Sequence, residues 1–141
     1  SLAQFLLHLR GRFDQVVVDI PRFILASHNS VLSGTQELVI ATDLSLVGLR
    51  DANRLKRYFA ETVPEVKLTV AANMVRSGRA GQLAVKDFAR GLEGDLVHRI
   101  PLDEKAAGRS ANSGQPMARG AKRGKATAAI RRLAAELAAA S

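Results

Sequence analysis

Four apolar runs punctuate this chain, each ended by a polar or proline-containing turn: Val16 to Pro21, Glu37 to Asp43, Val66 to Val75 and Asp95 to Pro101. Between them, apolar residues recur at helical spacing. Runs of Val, Ile, Leu and Ala without strict alternation suit strands that are buried on both faces. The pattern predicts an α/β fold of three layers, α/β/α, with a mostly parallel sheet and crossover helices. Ligands of such sheets bind where the strands end at their carboxyl side.

The elements follow in order. Leu2, Phe5, Leu6 and Leu9 mark an amphipathic helix that Gly11 stops. Val16-Val17-Val18 opens a strand ending near Ile20, because Pro21 cannot donate a ladder bond. A short helix is expected around Leu25 to Leu32, and Leu38 to Ala41 forms the second strand. Asp43 or Ser45 can cap a long helix with Leu46, Leu49, Leu55 and Phe59 on its apolar side and Arg50, Arg54 and Arg57 on the other. The third strand, Leu68 to Asn73, reads as central. Leu83 to Leu92 reads as a helix, and Asp95 to Ile100 as a strand near the sheet edge, since it carries His98 and Arg99. A helix from Asp103 to about Ala111, a Gly/Ser-rich basic loop over 112–125 expected to be flexible, and a helix over 126–140 complete the chain. The last helix bears a stripe of Ile130, Leu133 and Leu137 that suits docking on the body better than lying on a membrane.

Composition narrows the function classes. With 141 residues, one domain over 1–141 is the expectation. Without cysteine there are no disulfides and no thiolate metal sites, which fits a reducing cytoplasm. No apolar stretch approaches the roughly 20 residues that cross a bilayer. The chain begins inside a helical pattern, as a piece of a longer polypeptide would. Of the net charge of +8, most lies at the end: residues 101–141 hold eight Lys/Arg against three Asp/Glu, and residues 1–100 thirteen against ten. Such a tail can attract nucleic acid, anionic lipid or an acidic partner, or simply be a solvated tail. No aromatic residue is interleaved with these charges, so a stacking platform for single strands is not indicated.

Few residues carry chemistry by pattern. Asp19 follows three valines and so falls at a strand's carboxyl end, where it could meet a ligand or serve as a turn residue. His8, His28 and His98 lack any ligand spacing. The string from Gly120 to Thr127 approaches a phosphate-binding loop but is one residue short between glycines, separates Lys125 from Thr127, and follows no predicted strand. Ser45, Arg50 and Asp51 can be either a solvated helix face or a contact surface.

VVVDIPR, ELVIATDLSLVGLRDANRL, AANMV and RIPLDEKAAGRSANSGQP, in that order, resemble the C-terminal half of the MinD/ParA class of P-loop ATPases. Within that class the chain is most similar to the Tad/Flp pilus-assembly branch (CpaE/TadZ). The resemblance implies a SIMIBI-type P-loop fold from which the P-loop itself is missing. Carried over by position, Asp19 resembles the Walker B aspartate that holds Mg²⁺ through water. Asn73 matches the residue that recognises adenine, and Pro101, Leu102 and Asp103 match the loop against the other side of that base. The Asn73 amide can offer a purine edge both a donor and an acceptor.

The resemblance also implies ATP or ADP with Mg²⁺ in the intact protein, a homodimer, other pilus-assembly components as partners, and a cytoplasmic protein placed at a pole or peripherally at the inner membrane. With no loop to grip the β- and γ-phosphates, this chain alone is expected to be inactive as an ATPase, with no catalytic residue of its own. Asp43 departs from the proline common in relatives. Two further readings stay open: a partitioning ATPase fragment whose basic tail touches DNA, and a non-enzymatic interaction module that keeps the fold.

Overall fold

The computed structural model describes residues 2–25, 27, 29–78, 81–93 and 97–139. It divides into two compact units, residues 1–36 and 37–141, each described here by itself.

The first unit is helical. Helix α1 (Leu2–Arg10) buries Leu6 and gives way at Gly11, with the Arg12 and Phe13 amides both donating to Leu9 O. A single turn, α2 (Arg22–Leu25), and a 3₁₀ turn (Asn29–Leu32) stand where one short helix is expected. Among its described residues, Leu25, Val31 and Leu32 are the other buried apolar ones. Arg10 Nη1 reaches Ser33 O at 3.2 Å and ties α1 to the end of the 3₁₀ turn.

The expected strand over 16–20 is not formed. Residues 15–20 have no regular structure, and Val17 is 94% exposed. Strand preference is largely a preference for packing on neighbours, and an isolated β-branched run has neither a ladder nor a face to bury. Asp19 therefore sits in an exposed irregular segment rather than at a strand's carboxyl end.

The second unit holds three parallel strands in the order β1-β2-β3, namely β1 (Glu37–Thr42), β2 (Lys67–Val75) and β3 (Val97–Pro101). Ile40 pairs with Val70, and Val70 with Val97. The central position foreseen for the third run belongs to β2, whose consecutive Val70, Ala71 and Ala72 are all buried. That continuity, without alternation, is what coverage of both faces produces. Strand β3 lies at an edge of this sheet as expected, although Asp95 and Leu96, at its predicted start, lie outside the described residues.

Helix α3 (Leu46–Thr62) follows β1. Ser45 is its N-cap, with Oγ accepting from Gly48 N–H at 2.9 Å, and Asp43 Oδ1 in turn accepts from Ser45 Oγ at 2.6 Å. The cap thus fixes the helix one residue beyond Ser45, which leaves Leu46 71% exposed instead of on the apolar side. Ala52 and Phe59 are buried, while Arg50, Arg54 and Arg57 face solvent. Helix α4 (Val85–Gly91) buries Phe88 completely, worth roughly 2–3 kcal/mol of apolar transfer. Two α3 side chains satisfy carbonyls at its end: Asn53 Nδ2 donates to Gly91 O at 3.0 Å and Lys56 Nζ to Leu92 O at 2.9 Å.

Helices α5 (Glu104–Ser113), α6 (Met117–Gly120) and α7 (Lys125–Ala139) close the chain. The 112–125 segment is thus more structured than a loop. Gly114 caps α5 in the left-handed conformation, where a glycine pays no Cβ penalty, and α6 follows at once. Helix α7 docks on β3. Its inner face is Ala126, Ala129 and Leu133, with Ile130 left partly exposed, so small residues carry much of the contact. His98 Nε2 of β3 lies 3.4 Å from Glu136 Oε2 of α7. Among the described residues, no helix is long and apolar enough to cross a membrane.

Candidate functional site

Asn73 lies near the carboxyl end of β2, and Pro101, Leu102 and Asp103 lie at and just after the carboxyl end of the neighbouring β3. The parallel ladder is regular up to Ala72 paired with Arg99, then shifts so that Val75 pairs with Pro101. Between them Asn73 and Met74 form a bulge, a device that re-aims side chains at strand ends. Met74 has φ 53°, a left-handed conformation that costs a non-glycine residue on the order of 1–3 kcal/mol. Beyond the bulge, Leu102 N–H donates to Val75 O at 2.9 Å, which holds the Pro101–Leu102 loop against β2.

Asn73 is exposed, and its Oδ1 accepts from Met74 N–H at 2.8 Å. Because a backbone N–H can only donate, the amide orientation is settled: oxygen toward Met74, nitrogen available. Gln82, half-buried, grips the same turn from the far side of the loop. Its Oε1 accepts from Arg76 N–H at 2.9 Å and its Nε2 donates to Met74 O at 3.1 Å. Leu83 N–H then donates to Leu44 O at 2.7 Å, tying the loop back to the end of β1. Gln82 is invisible to sequence reasoning, since a glutamine after a glycine-rich loop has no pattern that marks it. The one available signal was indirect: an Asn followed by a bulky residue at a strand end.

Asp103 is committed to structure. It is the N-cap of α5, with Oδ1 accepting from Ala106 N–H at 3.1 Å, and its Oδ2 accepts from Ala126 N–H in the first turn of α7 at 3.4 Å. The Ala106 N–H holds the carboxyl below the usual aspartate range. Partial desolvation opposes this, while the Ala126 and Lys125 amides and the Lys125 ammonium add to the lowering. One carboxylate therefore caps two helices.

The capping sets a pH dependence. A carboxyl with a folded pKa below its unfolded value of about 3.9 stabilises the fold fully above that value, and the contribution fades as pH falls through the folded pKa. Asp103→Asn keeps an acceptor but removes the charge. Its thermal midpoint should lie below wild type at pH 7, and the gap should close on acidification below pH 4. A gap that stays constant from pH 7 to pH 2.5 would show that the carboxylate charge is not involved.

The polar groups at these strand ends differ in how far they are already committed to the protein. Asn73 offers an amide donor that makes no hydrogen bond among the described residues. The Gly120–Lys125 run is occupied by packing: a Cβ on Gly124 would lie 2.9 Å from both Ala106 Cβ and Asp103 Oδ2. The N-terminus of α7 is filled by Asp103. Asp19 belongs to the first unit, and the described residues contain no group of three or more His, Asp or Glu side chains able to hold a metal ion directly. His8 is exposed, His98 pairs with Glu136, and His28 lies outside the described residues. Two surface hollows lie away from this shelf. One, of about 300 Å³, is between α3 and the end of α4; the other, of about 280 Å³, is between α7 and the amino-terminal half of β2.

No family model matches the chain. It is 28% identical over 111 residues to the septum site-determining protein MinD of Synechocystis sp., a match covering 77% of this chain and 41% of that protein. Its structure is similar to that of a ParA family ATPase from Chlorobium tepidum, with a TM-score of 0.79 and 24% identity over 92% of this chain and 52% of the other. It is also similar to a chain of the MinC:MinD cell division protein complex of Aquifex aeolicus, with a TM-score of 0.72 and 20% identity over 94% of this chain and 58% of the other. The chain spans about half the length of these relatives. Three parallel strands with flanking helices, in an arrangement shared with both, give this chain the fold of the MinD/ParA-type ATPases.

Proposed function

We propose that this chain supplies the base-recognising side of the nucleotide site in a MinD/ParA-type ATPase-like protein. Asn73 reads the purine edge through its free amide donor. Pro101 and Leu102 form the apolar wall beside it, and Asp103 holds that wall in place by capping α5 and α7. By the sequence resemblance alone, Asp19 of the first unit would be the Walker B-like aspartate and would hold Mg²⁺ through water, an ion that would offset phosphate charge. The groups that grip the phosphates are not supplied by these residues, so hydrolysis is not assigned to this chain alone. The observation carrying the proposal is the bulge at the carboxyl end of the central strand, which sets an oriented Asn73 next to the Pro101–Leu102 loop.

The test is a calorimetric or NMR titration of the chain with adenosine and ADP. Wild type should bind both, and Asn73→Ala should weaken binding about tenfold, the order expected for one buried hydrogen bond to a base. Binding that is unchanged in Asn73→Ala, or absent from wild type, would refute the assignment.

The finer role follows the sequence resemblance to Tad/Flp pilus-assembly proteins: a homodimer, cytoplasmic or peripheral at the inner membrane, working with other pilus components at a pole. Loss of pili on deleting the gene, restored by wild type but not by Asn73→Ala, would support it. A second reading, DNA binding, draws on exposed Lys122, Arg123, Lys125 and Arg132 around the start of α7. DNA affinity falling steeply with salt would favour it.

A further inference from the structure

Met74 is the unusual residue of the shelf. A methionine in the left-handed region is disfavoured by its own Cβ, so the surrounding contacts must hold it there. Two do. Asn73 Oδ1 takes its N–H, and Gln82 Nε2 gives to its carbonyl. Gln82 is itself fixed, because its Oε1 accepts from Arg76 N–H, and this reciprocal pair allows only one orientation of the side-chain amide. The two peptide units flanking Met74 are thereby held, the preceding one by Asn73 and the following one by Gln82, so Gln82 acts on the Asn73 amide through the backbone angles of Met74.

We propose that Gln82 is a positioning residue for the base-reading Asn73, and that through Met74 it sets which purine the shelf accepts. This inference rests on the nucleotide reading above. An adenine edge presents a ring-nitrogen acceptor beside an exocyclic amino donor, whereas the corresponding guanine edge presents two acceptors, O6 and N7. With Nδ2 offered as donor and the second Oδ1 lone pair beside it, a fixed Asn73 matches adenine. The same oxygen would face an acceptor on guanine. Once the Met74 turn is released, the amide can rotate and offer its nitrogen to either base.

The experiment titrates the whole 141-residue chain with adenosine and with guanosine, following ¹H–¹⁵N resonances, for wild type, Gln82→Ala and Gln82→Glu. Wild type should prefer adenosine. Gln82→Ala should bind adenosine five- to tenfold more weakly, with the adenosine-to-guanosine ratio falling toward one, a change that a purely structural role would not cause. Gln82→Glu keeps an acceptor for Arg76 N–H but loses the donor to Met74 O. It should show the same loss of preference while the Arg76 amide stays protected from exchange, and it carries the test if the alanine variant unfolds. Adding Gln82→Ala to Asn73→Ala should weaken binding no further. If wild type prefers adenosine and both Gln82 variants keep that preference, the positioning role is overturned and the base-reading role of Asn73 stands. If wild type binds neither nucleoside, the nucleotide reading fails and this inference falls with it.

Discussion

Phe88→Ala is expected to destabilise the 37–141 unit by about 3–5 kcal/mol, the range for emptying a packed aromatic site. Phe88 is 0% exposed and lies on the seven-residue helix α4, too short to persist without tertiary packing. The end of α4 is held by Asn53 and Lys56 of α3, so neither helix can shift to fill the void without giving up those hydrogen bonds. Collapse is further restricted at Gly91, where an added Cβ would lie 2.6 Å from Leu49 Cδ2, so α3 and α4 are already in close approach. Against a total stability of some 5–15 kcal/mol for a domain, such a loss is severe. Urea unfolding at 25 °C should show a lower midpoint with an unchanged slope, and Phe88→Leu should cost less than half as much. A cost under 1 kcal/mol for the alanine variant would mean that α4 is not anchored through this ring.

How much of this was legible in the sequence follows from where each signal originates. Strands β1, β2 and β3 could be read because runs such as Leu38–Ala41 and Leu68–Asn73 are both apolar and bounded by turns, and each found a partner. Val16–Ile20 carries the same local signal more strongly, yet forms no strand, because pairing is a property of neighbours and not of the run. The start of α3 was ambiguous between Asp43 and Ser45. Both are used, Ser45 on the helix and Asp43 on Ser45, and that hierarchy put Leu46 outside the apolar face. The placement of the candidate residues was legible from their order, with Asn73 and Pro101 near the ends of adjacent strands. Its geometry was not. The bulge depends on a register shift between β2 and β3, and Gln82 acts on Met74 across a loop. Asp103 was assigned to the base by position, whereas its two caps depend on the N-termini of α5 and α7 meeting at one carboxylate.

Gly124→Val is expected to cost about 1–3 kcal/mol or more, the range for forcing extra carbon into a packed site. The glycine-rich basic stretch from Gly120 invites comparison with a phosphate loop, in which glycines clear space for an anion. Here the space is taken by protein. A Cβ on Gly124 would stand 2.9 Å from Ala106 Cβ, 2.9 Å from Asp103 Oδ2 and 3.2 Å from Ala121 O, so side chain and backbone would both have to give. The backbone on either side is also committed: Gly124 N–H donates to Ala121 O at 2.9 Å and Ala128 N–H to Gly124 O at 3.0 Å. Buried Thr127 donates its hydroxyl to Ala121 O at 2.8 Å, closing the same turn from α7. A branched side chain would push α7 away from α5 and pull Ala126 N–H off the Asp103 carboxylate. The thermal midpoint of Gly124→Val should therefore fall, and Asp103→Asn should add less to it than to wild type, because one of the two caps would already be gone. Inorganic phosphate should leave the wild-type midpoint unchanged. A phosphate-dependent rise that Gly124→Val abolishes would return this turn to the role of an anion cradle.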